Sequence, residues 1–339
     1  MPRALRILLT VIAAIIAMHA IVTVWRQNGK AAGLDFYIYF VNAQLAARDD
    51  IENIYAADVQ ERVGDEYFER AQRSGSELRK YDANRRRRLD NVSSPLLYTT
   101  LRWVSRDYDF ALRQYHALLL FAFVAGVLLL AWRARVPWWI ALLLLAVLLY
   151  VYRGFEADLR VGNVNALQLF VIGAMLAVAT RSRIAAAILL GALLAFKPNL
   201  LFVLALLVAS RVIARDWARL RLELLGGAIG GVAAFVIASI SYGSPRVWLQ
   251  WITAANQFWH RLPTRMERNV APALSWFNAY GTWVSYAIAA LLIAIVCIAI
   301  AKKKRADDLL IVSAGLLVYL LSATVVWLHY MVLAIPAAI

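Results

Sequence analysis

An all-α, polytopic membrane protein is the fold class this sequence predicts, on three observations. Of its 339 residues, 63% are hydrophobic and only 17% charged, where soluble domains average about 25% charged. Mean hydropathy is +0.64. Apolar runs of about spanning length recur along the chain, separated by polar or basic connections. So few charges would not keep a soluble core of this size wetted. Disordered and collagen-like classes are excluded by the 12 Trp, 15 Tyr and 13 Phe. One cysteine, Cys297, excludes an intrachain disulfide framework. The net charge of +15 would suggest nucleic acid for a soluble chain. In a membrane protein it asks instead on which side the charges sit, and no nucleic-acid partner is expected.

Residues 5–25 form the first run, preceded by Arg3 and Arg6. The run is longer than a signal-peptide core and no small-residue cleavage site follows, so it reads as an uncleaved anchor. Further runs cover 112–132, 136–152, 164–180, 184–196, 199–213, 222–242, 280–301, 308–322 and 325–339, which makes about ten spans. Residues 184–213 also read as one long helix kinked at Lys197-Pro198-Asn199, because proline disrupts a helix interior. The positive-inside rule favours two short helices there. With a cytoplasmic N-terminus and ten spans, Arg133 and Arg135, Arg181 and Arg183, Arg211 to Arg221, and Lys302 to Arg305 all fall on the cytoplasmic side. A single crossing at 184–213 would spoil that pattern. The same reasoning divides 308–339 near Ser322–Tyr330.

The whole chain reads as one transmembrane domain, 1–339, with two large connections on the other face. The first, 26–111, holds two thirds of the acidic residues. Within it, 36–47 predicts an interfacial helix, 51–82 a solvated helix of alternating charge, and Ser94-Pro95 an N-cap and first position opening a short amphipathic helix over about 94–104. The second, 243–279, is aromatic and basic, as expected of a segment in the headgroup layer.

On this topology the unusual polar residues gather at the extracytoplasmic boundary. Asp35 follows the first span. Arg153, Asp158, Arg160, Asn163 and Asn165 fill the loop 153–165, Lys197 sits at a turn between spans, and His329 lies between Trp327 and Tyr330 near the last one. Ionisable groups at membrane depth are costly, so a cluster of them points to function. Each also has a plain reading. Asp35 reads as a solvated loop residue, Lys197 as a snorkelling side chain, His329 as part of an aromatic belt, and Arg153 and Arg160 as interfacial anchors. The run Arg85–Arg88 reads as a solvated helix face or a headgroup contact. No His, Cys, Asp or Glu spacing suggests a metal site.

Five segments, in order, carry a resemblance. They are Asp35-Phe36-Tyr37-Ile38-Tyr39 (D-F-x-x-Y), Asn91-Val92-Ser93-Ser94-Pro95-Leu96-Leu97 (Y-P-P-L), Val161 through Leu167 (G-Q-V-N-x-L), Gly191 through Pro198 (a glycine-bearing helix ending in K-P), and Ser322 through Tyr330 (S-P-x-x-W-x-H-Y). Together they resemble the membrane-embedded sugar transferases of the GT-C fold, specifically glycosyltransferase family 87, whose members use polyprenyl-phosphate sugars as mannosyl or arabinofuranosyl donors. Asn163 stands where that pattern has Gln, a single Pro95 where it has two prolines, and the proline before W-x-H-Y is missing.

The resemblance implies a GT-C-like bundle. It also implies transfer of a sugar from a polyprenyl-phosphate donor to a lipid or glycan acceptor on the extracytoplasmic face, without metal or cofactor. Asp35 is then the general base. Lys197 and His329, with Arg153 or Arg160, receive the donor phosphate, and Tyr37, Asp158, Asn163, Asn165, Trp327 and Tyr330 line the sugar and acceptor site. One carboxylate suits an inverting displacement; a retaining one wants a second, for which Asp158 is the nearby option. A lipid or glycan transporter, or a non-catalytic assembly subunit, are the competing classes. Half-helices repeated in two halves, the mark of many transporters, are not evident in the sequence.

Overall fold

The computed structural model describes residues 1–28, 31–46, 48, 50–90, 92–261, 270–271, 281–303 and 307–339. Every regular element among them is helical. The helices are α1 (Arg3–Asn28), α2 (Leu34–Leu45), α3 (Ala57–Gln72), α4 (Glu77–Arg85), α5 (Pro95–Thr100), α6 (Tyr108–Arg133), α7 (Trp138–Val151), α8 (Arg153–Val161), α9 (Asn165–Val178), α10 (Arg183–Phe196), α11 (Leu201–Ile213), α12 (Trp217–Ser241), α13 (Arg246–Arg261), α14 (Gly281–Lys303), α15 (Asp308–Ser322) and α16 (Ile335–Ala338). Short 3₁₀ turns occupy Pro198–Leu200 and Leu328–Ala334.

Helices α1, α6, α12 and residues 283–302 of α14 are long and apolar enough to cross a membrane, and α7 with α8 makes a fifth if that pair, bent by 62°, is one broken span. Their surfaces agree. Ile15 and Met18 on α1, Val232 and Ile240 on α12, and Leu291 and Ile298 on α14 all face outward, an apolar exterior that water would not tolerate. The remaining apolar helices, α9, α10, α11 and α15, are shorter. At 1.5 Å per residue, 14 residues cover about 21 Å, less than the hydrocarbon thickness.

Small residues let these helices approach closely, as is usual where apolar lipid removes any hydrophobic drive for packing. Gly226 of α12 lies against Ile184 and Ala187 of α10, Gly230 against Ile188, and a Cβ on Gly191 would meet the Gly227 carbonyl oxygen at 2.0 Å. These contacts advance together along both helices, so α10 and α12 run parallel. Helix α11 ends beside the start of α12, where Arg211 bonds Glu223, so the chain reverses at Lys197–Asn199.

One end of the molecule gathers residues that the charge pattern places on a single face. Arg133 at the end of α6 pairs with Asp307 at 2.7 Å. Arg211 (4% exposed) holds Glu223 at 3.0 Å and Asp308 at 2.6 Å, and Arg219 bonds the same two carboxylates. The cluster joins α11, α12 and α15. Two arginines counted as free positive charge are therefore neutralised by neighbours.

The opposite end is capped by α2 to α5. Helix α2 is not interfacial as its composition suggests: Phe36 through Val41 are all buried. Phe36 stacks on Tyr115 with centroids 4.7 Å apart, and Phe40 meets Tyr108 edge-on at 5.1 Å. Burying each such ring stabilises by about 1.5–3 kcal/mol. Helix α5 opens as expected, with Ser94 Oγ accepting from Leu97 N–H at 3.3 Å, but it ends at Thr100 instead of running to 104.

The expected last span, 325–339, is not one α-helix. After α15 the chain is extended, then 3₁₀ over Leu328–Ala334, then four residues of α16. Pro336 cannot donate to the Val332 carbonyl, which accepts from Ile335 in a tighter turn. Helix α13 takes up the first half of the 243–279 connection and docks on protein through Trp248, whose Nε1 donates to the Phe235 carbonyl at 3.2 Å. Most of the rest of that connection, Asn91 at the head of the Asn91–Leu97 segment, and Lys304 and Arg305 lie outside the described residues.

Candidate functional site

Five chain segments meet at the capped end: the start of α2, the end of α4, the α8–α9 turn, the α10–α11 turn and the 3₁₀ segment 328–334. Asp35 sits in the first turn of α2, its side chain 17% exposed. One carboxylate oxygen accepts from Arg86 Nη2 and the other from Asn163 Nδ2, both at 2.7 Å. Two donors from different elements fix the carboxylate's orientation.

Asn163 is the hub. Its Oδ1 accepts from Val164 N–H at 2.8 Å, Asn165 Nδ2 at 3.1 Å and Lys197 Nζ at 3.3 Å. Its amide orientation follows from charge. Turned over, the amide would set oxygen against the Asp35 carboxylate and N–H groups against the Lys197 ammonium. Asp35 and Lys197 are thus joined through one amide. Lys197 Nζ also donates to Asn165 Oδ1 at 3.2 Å and lies 4.6 Å from the centroid of the Tyr330 ring, within cation–π range. On that same ring the His329 imidazole packs edge-on at 4.8 Å. His329 is buried, and its Nε2 has no hydrogen-bond partner among the described residues.

The backbone is shaped to allow this approach. Helix α8 ends at Gly162, φ +67°, a left-handed C-cap that glycine adopts without strain. A Cβ there would also stand 2.7 Å from Phe36 Cβ. The glycine lets the α8–α9 turn lie directly on α2, next to Asp35.

Other expected site residues are placed elsewhere or used differently. Asp158 is completely buried. Its oxygens accept from Asn165 Nδ2 at 2.8 Å and from Ala166 N–H at 3.0 Å, so it closes the N-terminus of α9. Asn165 is equally buried and also donates to the His329 carbonyl at 3.2 Å. Asn165 bonds Asn163 and Lys197 directly, and Asp158 holds Asn165 in place. Tyr37 points to the other side of α2, near Arg79, Tyr67 and Asp82. Arg153 is 77% exposed and pairs with Glu156 at 2.7 Å, and Arg160 is exposed. Neither reaches the cluster. Trp327 is partly buried and precedes the 3₁₀ turn, its carbonyl accepting from Tyr330 N–H.

Arg86 is the residue that sequence reasoning set aside. Its run, Arg85–Arg88, reads as a solvated face, yet Arg86 caps α4 and turns inward to Asp35, 31% exposed. Gln168 and Asn199 were missed as well. Their side-chain amides bond at 2.8 Å and pin the α10–α11 turn to α9.

Close to the cluster, on the far side of α2, Asp82 accepts from Gly33 N–H at 3.0 Å and from Tyr108 Oη at 2.6 Å through one oxygen. Its other oxygen is buried without a partner among the described residues. Burial pushes its carboxyl above the usual carboxylate range.

Among the described residues, no group of three or more His, Cys, Asp or Glu could hold a metal ion. What the cluster offers instead is a carboxylate, the permanent cation Arg86, the partly buried Lys197 amine, whose pKa burial pushes down to about 8, and an imidazole with a free nitrogen. That set can accept a proton and bind a phosphate. No family model, curated protein or solved structure matches the chain.

Proposed function

We propose that this protein is an integral membrane glycosyltransferase that moves a sugar from a polyprenyl-phosphate donor to a lipid or glycan acceptor. The observation that carries the reading is the placement of Asp35: an oriented, partly exposed carboxylate bonded to Arg86 and, through Asn163, linked to Lys197. Asp35 takes the proton of the acceptor hydroxyl. Lys197, His329 and Arg86 meet the phosphate as charge develops on it, a preorganised electrostatic effect. The displacement is inverting, because Asp158, the second carboxylate nearby, is committed to Asn165 and Ala166.

In this reading the short helices α9, α10, α11 and α15 cross the membrane together with their end turns, which with α1, α6, α7, α12 and α14 makes nine crossings among the described residues. The Asp35 end faces away from the cytoplasm and the Arg211–Asp308 end towards it. A polar centre at one end of the bundle, not at its midplane, favours a transferase over a transporter.

The test is a transfer assay on the purified protein with a panel of polyprenyl-phosphate pentoses and hexoses. Asp35→Asn keeps the size and one acceptor oxygen but removes the base. Turnover should fall by about 10²–10⁴-fold with donor binding retained. Full turnover in that variant, or none in the wild type with any donor, overturns the proposal.

A further inference from the structure

A second pocket lies further along α2. Five to nine residues beyond Asp35, about 7–14 Å along the helix axis, Phe40, Ala43 and Gln44 form one wall of a cavity of about 660 Å³. Four arginines border it, Arg48, Arg70, Arg102 and Arg106, and among the described residues no carboxylate does. Two of the four are already compensated. Arg48 bonds Asp50 and Glu66, and Arg70 bonds Glu66 from the other side. The other two are not. Arg102 donates to the Ser241 hydroxyl at 2.7 Å, a neutral partner, and neither it nor Arg106 has a carboxylate within ion-pair distance among the described residues.

Compensated arginines hold a wall in shape; uncompensated ones at the mouth wait for an anion. Gln44 Nε2 is buried here without an acceptor among the described residues, a further donor left over. Leu101 and Val104 add apolar wall, and Tyr67 and Ser105 complete the lining. Just outside, Trp103 and Phe110 are more than half exposed, and α6, one of the long apolar helices, begins at Tyr108. An aromatic rim where a span begins is what a membrane–water boundary selects.

We propose that this cavity is a binding site for a phosphate ester of headgroup size, separate from the Asp35 centre, in which Arg102 and Arg106 take the phosphate and the Phe40–Leu101–Val104 wall takes the adjoining carbon skeleton. Arginine forks suit phosphate oxygens, which they bind in pairs. The same chemistry fits a lipid headgroup at the boundary or a soluble sugar or glycerol phosphate.

The experiment uses the full chain in phosphatidylcholine nanodiscs. Inorganic phosphate and glycerol phosphate are titrated calorimetrically, and phosphatidylglycerol is added to the discs with retention read by native mass spectrometry. At least one probe should bind saturably, and the double variant R102A/R106A should weaken that binding at least tenfold. Because both side chains are exposed, the variant should unfold at the wild-type temperature, and R102K/R106K should recover part of the binding. Lys197→Ala should leave it unchanged. Binding of glycerol phosphate identifies a soluble ester; retention of phosphatidylglycerol alone identifies a headgroup. No saturable binding by any probe, or binding indifferent to R102A/R106A, overturns the proposal. Loss on Lys197→Ala does the same, by moving the ligand to the other centre.

Discussion

Gly162→Ala separates a backbone requirement from a packing requirement at the Asp35 centre. Two terms act. At φ +67° an L side chain costs about 1–2 kcal/mol. The added Cβ also stands 2.7 Å from Phe36 Cβ, where carbon atoms rest at about 3.5–4.0 Å. The α8–α9 turn and α2 must therefore part by about 1 Å, an overpacking strain worth about 1–3 kcal/mol. Gly243→Ala supplies the control, because Gly243 has the same φ of +67° with nothing within 4 Å of the added atom. Thermal unfolding in detergent should show Gly243→Ala losing only the backbone term and Gly162→Ala losing both, about 2–5 kcal/mol in sum. The same 1 Å separation would stretch the 2.7 Å bond from Asn163 to Asp35 past hydrogen-bonding range, so transfer should fall in Gly162→Ala alone. Equal destabilisation by the two substitutions, with transfer intact, refutes the claim that this close approach builds the centre.

Lys197→Ala should raise the donor dissociation constant about ten- to a hundredfold, the worth of one or two hydrogen bonds to a charged group; wild-type donor binding would leave Lys197 a merely structural cation. Asp82 carries a pH dependence. Its folded-state pKa is raised, so its contribution to stability is complete below its unfolded value and is lost as pH rises through the folded one. Wild type minus Asp82→Asn, read by unfolding temperature, should fall as pH rises from 4 towards neutrality; a flat or rising difference contradicts the burial argument. With Cys297 replaced by Ala, impermeant thiol labelling of intact cells should reach Arg153→Cys, and should reach Arg181→Cys only after the cells are opened; the reverse pattern inverts the topology.

The apolar helices were legible in the sequence because a run of apolar side chains is a local signal. Nine of the ten runs correspond to single helices among the described residues, with ends shifted by at most about five residues. The tenth is broken after Ser322 and runs as 3₁₀ structure over Leu328–Ala334, and Pro336 marks where the short last helix begins. Asp35, Asn163, Lys197 and His329 could be singled out because polar and ionisable groups clustered near membrane depth are costly, and the structure brings all four together. Roles were harder to read than positions. Asp158 and Asn165 share a loop with Asn163, and only their three-dimensional partners distinguish the residues that support from the one that faces the carboxylate. Arg86 was hidden in a run of four arginines, since charge composition alone does not say which member of such a run turns inward. The long aromatic rows of α2 looked interfacial because burial against other protein rings and burial against lipid leave the same composition.

The Arg211–Arg219–Glu223–Asp308 knot bears on how the chain is made. Arg211 and Arg219 leave the ribosome about ninety residues before Asp308 does, and until then Glu223 alone stands against two cations. The α11–α12 hairpin must keep those guanidinium groups wet while α13 and α14 are still being synthesised, and only the arrival of α15 lets them dry out. Assembly at this end is therefore a closing act, reserved for the last helices to be inserted.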